Sequence, residues 1–203
     1  GAVADINSSG SINSNSMLNI DSGNNLNVNA KEIIINNGSL ASSPLIVNAK
    51  GNINLAADTR IMDDSQGGDV YIDAANINLA AGSELKSNRG TATIQVQKDL
   101  VAAKGAKLIA AKDLNVLSNG KLSLTENHIQ ASLGSINLQA NSANIQNLID
   151  LQGGTIYAGK DLNLYSSGDL NLKNLGFSLE NAATRVKNIK AYSGRDLVWN
   201  NAD

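Results

Sequence analysis

One three-residue unit constrains this chain more than any other feature: an apolar residue, Asn, and a second apolar residue. It occurs as Leu18-Asn19-Ile20, Leu26-Asn27-Val28, Ile53-Asn54-Leu55, Ile77-Asn78-Leu79, Leu114-Asn115-Val116, Ile136-Asn137-Leu138, Leu162-Asn163-Leu164 and Leu170-Asn171-Leu172. Alternation with period two sends both apolar side chains to one side of a strand and the Asn to the other. A unit reiterated along the whole chain decides the fold class before composition does.

A shorter apolar step often precedes the unit by six to eight residues. Val47 stands before Ile53, Ile94 before Leu100, Ile129 before Ile136, Ile156 before Leu162 and Ile189 before Leu197. Small or turn-forming residues lie between, as in AKGN, AGKD and YSGRD. Gly permits positive φ and Asn or Asp tolerates it, so these stretches predict sharp corners. From Leu26 to Ile53 the unit advances 27 residues, then 24 to Ile77; it advances 22 from Leu114 to Ile136 and 26 to Leu162, while Leu100 part-fills the remaining gap. A period in the twenties suits one coil of a β-solenoid with two or three short strands.

The spacing therefore predicts an all-β chain, a parallel β-solenoid of roughly eight to nine coils, about 40 Å long at the usual strand separation. Stacked coils bury a continuous Leu/Ile/Val column, and Asn at equivalent positions is expected to form amide ladders. A helical reading fails because Asn, Gly and Ser are poor helix formers and a 3.6-residue period is lacking. A β-sandwich is the competing arrangement. Corner chemistry recurring at one phase favours the solenoid. Its two ends are open sheet edges that need neighbours or caps.

Residues 1–203 read as a single domain. Residues 1–17 are Asn/Ser-rich and are expected to be a frayed or incomplete first coil. Residues 57–69 (ADTRIMDDSQGGD) and 173–188 (KNLGFSLENAATRVKN) break the pattern and are expected to be loop insertions, the second with a short helix. Residues 118–128 also depart from it.

Composition narrows the function classes. Hydrophobic residues make up 42% and aromatics 3%, so the core is aliphatic and lacks a wide aromatic centre. The net charge of −2 gives no electrostatic reason to expect nucleic acid or an anionic membrane. There is no Cys, hence no disulfide or thiolate metal site, and a single His, hence no histidine pair. No 18-residue apolar run is present, and the start lacks the layout of a signal peptide. No cofactor is expected, and if the protein is secreted the chain is expected to be a piece of a longer one.

Several motifs invite chemistry. Gly154 to Asp161 nearly spells a phosphate-binding loop, but the position after Lys160 needs Ser or Thr and holds Asp161, and a strand pattern follows instead of a helix. Asp58, Asp63, Asp64, Asp69 and Asp73 crowd near Arg60, and Arg89 follows. Clustered Asp with Arg is what a calcium-dependent polysaccharide lyase uses, and GGDVYID resembles one fragment of a glycine-rich calcium repeat. A solvated loop is the plainer reading. His128 reads as a turn or surface residue. Lys98, Lys104, Lys107, Lys112 and Lys121 read as outward positions or a basic stripe. Tyr157, Tyr165, Phe177, Tyr192 and Trp199 place most aromatics in the last quarter, as coil filling, an end cap or a recognition surface. Asn7-Ser-Ser and Asn37-Gly-Ser match the glycosylation sequon, as chance allows in a chain with 30 Asn.

The runs AGKDLNLYSSGDLNL, AKGNINLAA, AAKDLNVLSNGKLSL and AYSGRDLVW resemble the filamentous haemagglutinin repeat family over roughly residues 18–199. These are very large bacterial exoproteins exported by two-partner secretion, including adhesins and effectors of contact-dependent growth inhibition. The resemblance implies a right-handed parallel β-helix. It implies a secreted or cell-surface location and an outer-membrane transporter partner for the full-length protein. The family's NPNL and NPNG secretion motifs are not present, so the resemblance implies an internal segment. That segment is expected to be a non-enzymatic adhesin or receptor-recognition surface, binding a protein or glycan on a host or neighbouring bacterial cell. No nucleic acid and no direct membrane insertion are expected. The candidate contact residues, mostly in the two insertions, are Arg60, Asp63, Asp64, Asp69, Phe177, Arg185, Lys187 and Tyr192. A passive stalk spacer and a β-helical carbohydrate-active enzyme are the competing functions.

Overall fold

The structure is a computed structural model. It describes residues 4–7, 9, 11–14, 18–22, 26–30, 32–35, 38–42, 45–63, 68–142, 148–177 and 188–200. Before Leu45, and at Asp63 and Phe177, it describes the backbone, with the side chains of Ile6, Asn7, Ser9 and Ile12 alone in addition.

Each apolar triplet forms a strand, and each polar or Gly-containing connection turns the chain onto a new face. The first coils are β1 (Ala4–Asn7), β2 (Ser11–Ser14) and β3 (Leu18–Ser22), then β4 (Leu26–Ala30), β5 (Glu32–Ile35) and β6 (Gly38–Ser42). Next come β7 (Leu45–Leu55), β8 (Arg60–Asp63), β9 (Val70–Leu79) and β10 (Glu84–Ser87). The middle comprises β11 (Ala92–Val96), β12 (Leu100–Ala102), β13 (Lys107–Ala110), β14 (Leu114–Ser118), β15 (Leu122–Thr125) and β16 (His128–Ala131). The last part comprises β17 (Ile136–Ala140), β18 (Ile149–Gln152), β19 (Thr155–Ala158), β20 (Leu162–Ser166), β21 (Leu170–Lys173), β22 (Gly176–Phe177), β23 (Ile189–Ser193) and β24 (Leu197–Asn200).

Every strand pairs in parallel with the strand one coil away, giving a β-solenoid with three faces. The first face carries β1, β4, β11, β14, β17, β20 and β23, and the second carries β2, β5, β12, β15, β18, β21 and β24. Strands β7 and β9 run along both and join them into one sheet, with a bulge between Ala49 and Asn52 in β7. The third face is a separate eight-stranded sheet, β3-β6-β8-β10-β13-β16-β19-β22. From Leu45 to Phe177 the chain makes six turns, one for each of β8, β10, β13, β16, β19 and β22. Strands β1–β6 and β23–β24 extend the same faces at the two ends.

The core is the set of columns the alternation predicts. Val70, Ala92, Leu114, Ile136 and Leu162 are stacked on the first face. Ile77, Leu100, Leu122, Ile149 and Leu170 are stacked on the second. Ile61, Leu85, Leu108, Ile129 and Ile156 are stacked on the third. All fifteen are buried. Each fully buried Leu or Ile contributes roughly 1.5–3 kcal/mol relative to exposure, so the columns carry the stability.

Register exposes one error in the repeat spacing. The 27-residue step from Leu26 to Ile53 joins two different faces, because Leu26 stands under Leu45 and Ile53 over Ile33. The same triplet serves all three faces, so spacing alone merges them. Within a face the step is 22 residues from Ala92 to Leu114 and again to Ile136.

Two of the expected interruptions are also revised. Residues 57–63 are no insertion: Ala57 and Asp58 lie in a turn, and β8 follows with Ile61 fully buried. Residues 173–177 likewise belong to β21, a two-residue corner and β22, which leaves residues 178–187, with the expected helix, outside the described residues. The Asn/Ser-rich start contributes β1 and β2, paired in register with β4 and β5, where a frayed or incomplete coil is expected. An unexpected long connection, residues 141–148, joins β17 to β18.

Outward Asn residues form the expected ladders. Asn163 Nδ2 donates to Asn137 Oδ1 at 2.7 Å, and Asn137 Nδ2 donates to Asn115 Oδ1 at 2.7 Å. On the second face Asn78 Nδ2 donates to Asn54 Oδ1, also at 2.7 Å. Asn137 is the middle rung and makes two such bonds. Asn137→Ala is therefore expected to cost about 1–2 kcal/mol in urea unfolding, roughly twice the cost of Asn78→Ala, with an unchanged m-value.

Candidate functional surface

The three edges between faces are built by different local chemistry. At the second-to-third edge, Asp58, Gly82 and Gly105 have φ of 60°, 73° and 81°. Each is the third residue of a turn closed by a backbone bond, as in Ser83 N–H to Ala80 O at 3.2 Å. That is the conformation of a type II turn. Later coils shorten this edge, with Glu126, Gly153, Gly154 and Asn174 in the same left-handed region. The sequence predicts positive φ in the AGKD and YSGRD corners instead, and this is corrected: neither Gly159 nor Gly194 has positive φ. Gly there is required by close approach. A Cβ on Gly159 would lie 2.4 Å from Ser132 O, and one on Gly194 would lie 2.3 Å from Ser167 O.

The Asp of these corners binds the next coil's backbone. At the third-to-first edge, Asp69 Oδ1 accepts from Thr91 N–H at 2.8 Å and Asp113 Oδ1 from Ser135 N–H at 2.7 Å. At the first-to-second edge, Asp99 Oδ1 accepts from Lys121 N–H at 2.7 Å. Asp161, the residue that spoils the phosphate-loop match, occupies the same third-to-first edge and accepts from Asn188 Nδ2 at 2.9 Å. Strand β20 follows it, so Gly154 to Asp161 contains strand β19 and a corner.

The acidic cluster read from residues 58–73 is dispersed. Asp58 lies at the second-to-third edge, Asp69 at the third-to-first edge, and Asp73 on the first face, where Oδ1 accepts from Gln97 Nε2 at 3.3 Å. Arg60 lies on the third face with Nε 3.4 Å from Glu84 Oε2. Among the described residues, no group of three or more His or acidic side chains is placed to hold a metal ion. The lysines do not form a stripe either: Lys98 and Lys121 sit at one edge, Lys112 at another, Lys104 at the third, and Lys107 on the third face. His128 is on β16 rather than in a turn, and its Nδ1 is 2.7 Å from Thr155 Oγ1 and its Nε2 2.8 Å from Gln130 Oε1.

The remaining candidate residues divide by position. Asp63 ends β8 and pairs with Ser42. Phe177 ends β22 over Ile156. Asp64, Arg185 and Lys187 lie outside the described residues. Tyr192 points outward from β23 and stacks on Tyr165, with ring centroids 4.9 Å apart and planes within 7°. That separation equals the strand spacing, so the rings pile along the rod axis and turn their edges to the solvent beside the face. Beside them lies a field of neutral amides: Gln95, Asn115, Asn137 and Gln139 line a shallow groove on the first face.

Connection lengths give the surface its asymmetry. At the third-to-first edge, ordinary corners are short: Ala111 to Asp113, and Gly159 to Asp161. Residues 64–69 and 178–188 are the long connections there, since they join β8 to β9 and β22 to β23. Both thus depart from the same edge of the rod. Residues 141–148 depart from the first-to-second edge.

Comparison with known families, curated proteins and solved structures finds no significant match to this chain.

Proposed function

We propose that this chain is a non-enzymatic surface-recognition segment of a large secreted bacterial exoprotein of the filamentous haemagglutinin or contact-dependent inhibition type. One observation carries the proposal: the two long connections that hold Asp64, Asp69, Arg185 and Lys187 begin and end on one edge of a rigid rod. A solenoid that varies its loops on one side presents an extended contact surface without a pocket. The partner is a protein or glycan on a host or neighbouring bacterial cell, and an outer-membrane transporter serves the full-length protein.

The test replaces residues 64–67 and 178–187 by three-residue corners with the sequence of Gly159-Lys160-Asp161 and measures binding to intact cells. Binding is expected to fall at least tenfold, about 1.4 kcal/mol, while the circular dichroism spectrum stays that of a β-sheet. Unchanged binding by the folded variant would sink the loop assignment. The spacer reading is favoured by a different observation, the Tyr165–Tyr192 stack, which packs one coil on the next. No binding by the parent chain to any cell type would establish that reading.

A further inference from the structure

The first face differs from the third in what it turns to solvent. Its outward positions from Thr93 to Tyr165 carry no charged side chain. The third face turns out Arg60, Lys86 and Lys107. Leu117, half-buried, stands in the middle of the neutral field. Register sets Gln95 one coil before it and Gln139 one coil after it, with Thr93, Asn115 and Asn137 in the column beside. All six line the shallow groove. The groove is thus one apolar side chain ringed by a hydroxyl and four amides.

That ring is only partly satisfied from within. Tyr71 O–H donates to Gln95 Oε1 at 2.8 Å, Asn137 Nδ2 to Asn115 Oδ1 at 2.7 Å, and Gln139 Nε2 to Asn141 Oδ1 at 3.2 Å. Among the described residues, the Thr93 hydroxyl, Gln95 Nε2, Asn115 Nδ2 and Gln139 Oε1 have no partner. The set contains two donors, one acceptor and one group that does both.

A pyranose ring complements this arrangement. It has an apolar C–H face to cover Leu117 and a rim of hydroxyls, each of which donates and accepts. Successive coils lie about 4.8 Å apart, close to the length of one sugar unit in an extended chain. A linear glycan along the rod axis therefore meets a new pair of outward positions at each unit. Sulfate, phosphate or a sialic acid carboxylate would lose its water there without gaining a cation, because none lines the groove.

We propose that the groove around Leu117 is a subsite for an uncharged hexose or N-acetylhexosamine unit of a linear glycan. The inference rests on the surface-recognition reading and names its ligand class, on the face that borders the edge from which the two long connections leave.

An array of neutral hexose and N-acetylhexosamine oligosaccharides, printed beside sulfated and sialylated ones, tests it on the full chain. The neutral oligosaccharides are expected to bind, and the charged ones to bind no better than their neutral cores. Leu117→Lys fills the groove from an outward position and is expected to weaken binding about tenfold or more. Gln139→Ala, at an exposed position, keeps the platform and is expected to weaken it less. Asn78→Ala, on the second face, is expected to leave it unchanged. Circular dichroism checks that each variant keeps its β-sheet spectrum. No binding to any neutral glycan overturns the proposal, as does a preference for charged glycans or binding that both groove variants leave intact. Cell binding that survives without glycan binding, and that protease treatment of the cells abolishes, assigns a protein ligand; it overturns this proposal and leaves the recognition reading standing. Binding to neither cells nor glycans overturns both.

Discussion

Leu162→Asp is expected to abolish the cooperative unfolding transition or to lower stability by at least about 4 kcal/mol, because the new carboxylate is buried without a partner. Leu162 is 1% exposed and lies between Ile136 and Ile189 in a column of aliphatic side chains. Neither neighbour has a polar atom on its side chain, and the backbone amides are committed to the ladders. The adjacent substitution, Asn163→Asp, reads the opposite phase. Asn163 Nδ2 donates to Asn137 Oδ1, so the change removes one hydrogen bond and sets two oxygens together. Rotation of the Asn137 and Asn115 amides reverses the ladder and relieves that contact, leaving a cost of about 1 kcal/mol. Urea unfolding of the two variants checks the pair. Equal tolerance of both changes would contradict the strand phase.

Gly134→Ala is expected to cost about 3 kcal/mol or more, an unusually large effect for adding one methyl group. The new Cβ would lie 2.2 Å from Asp113 Oδ1 and 2.6 Å from the Lys112 carbonyl carbon, so the coils must part or the corner must open. Trimming Asp113 does not rescue it, because the Lys112 backbone remains. Gly105→Ala is the control. Its φ of +81° strains any side chain, but the nearest atom to a Cβ is Gly82 N at 3.8 Å. Strain without collision costs about 1–2 kcal/mol. A thermal melt that ranks Gly105→Ala as the worse substitution would refute close approach as the reason for the corner glycine.

The fold was legible because the alternation that buries Leu162 and exposes Asn163 is written into each triplet. A β-solenoid follows from that alternation and a recurrent corner. What stayed hidden has a common physical cause. Faces one, two and three use the same Leu-Asn-Leu grammar, so no residue labels which face it occupies. Leu26 and Ile53 therefore look like successive rungs although Leu45 lies above Leu26. Arg60-Ile61-Met62-Asp63 reads as loop because it begins and ends on a charged residue, yet Ile61 holds the inward position. The corner glycines were visible, but their reason was not. Collision with the coil beneath is a contact between residues some 22–27 positions apart, and a local reading supplies only φ. The candidate surface was less legible still. Asp58, Asp69 and Asp73 are close in sequence and sit on different sides of the rod, because a chain that changes face every few residues scatters its local clusters.

The corner aspartates carry a further mechanical meaning. Several accept a hydrogen bond from a backbone N–H of the following coil, as Asp113 does from Ser135 and Asp99 from Lys121. Every turn is thus both a finished object and a mould for the next. A pull on the carboxyl terminus meets the outermost mould first and peels the rod one turn at a time, a turn of 22 residues such as Leu114 to Ile136 releasing about 75 Å of extended chain. Such a rod is expected to lengthen in steps set by the length of each coil and to rewind on the template that remains.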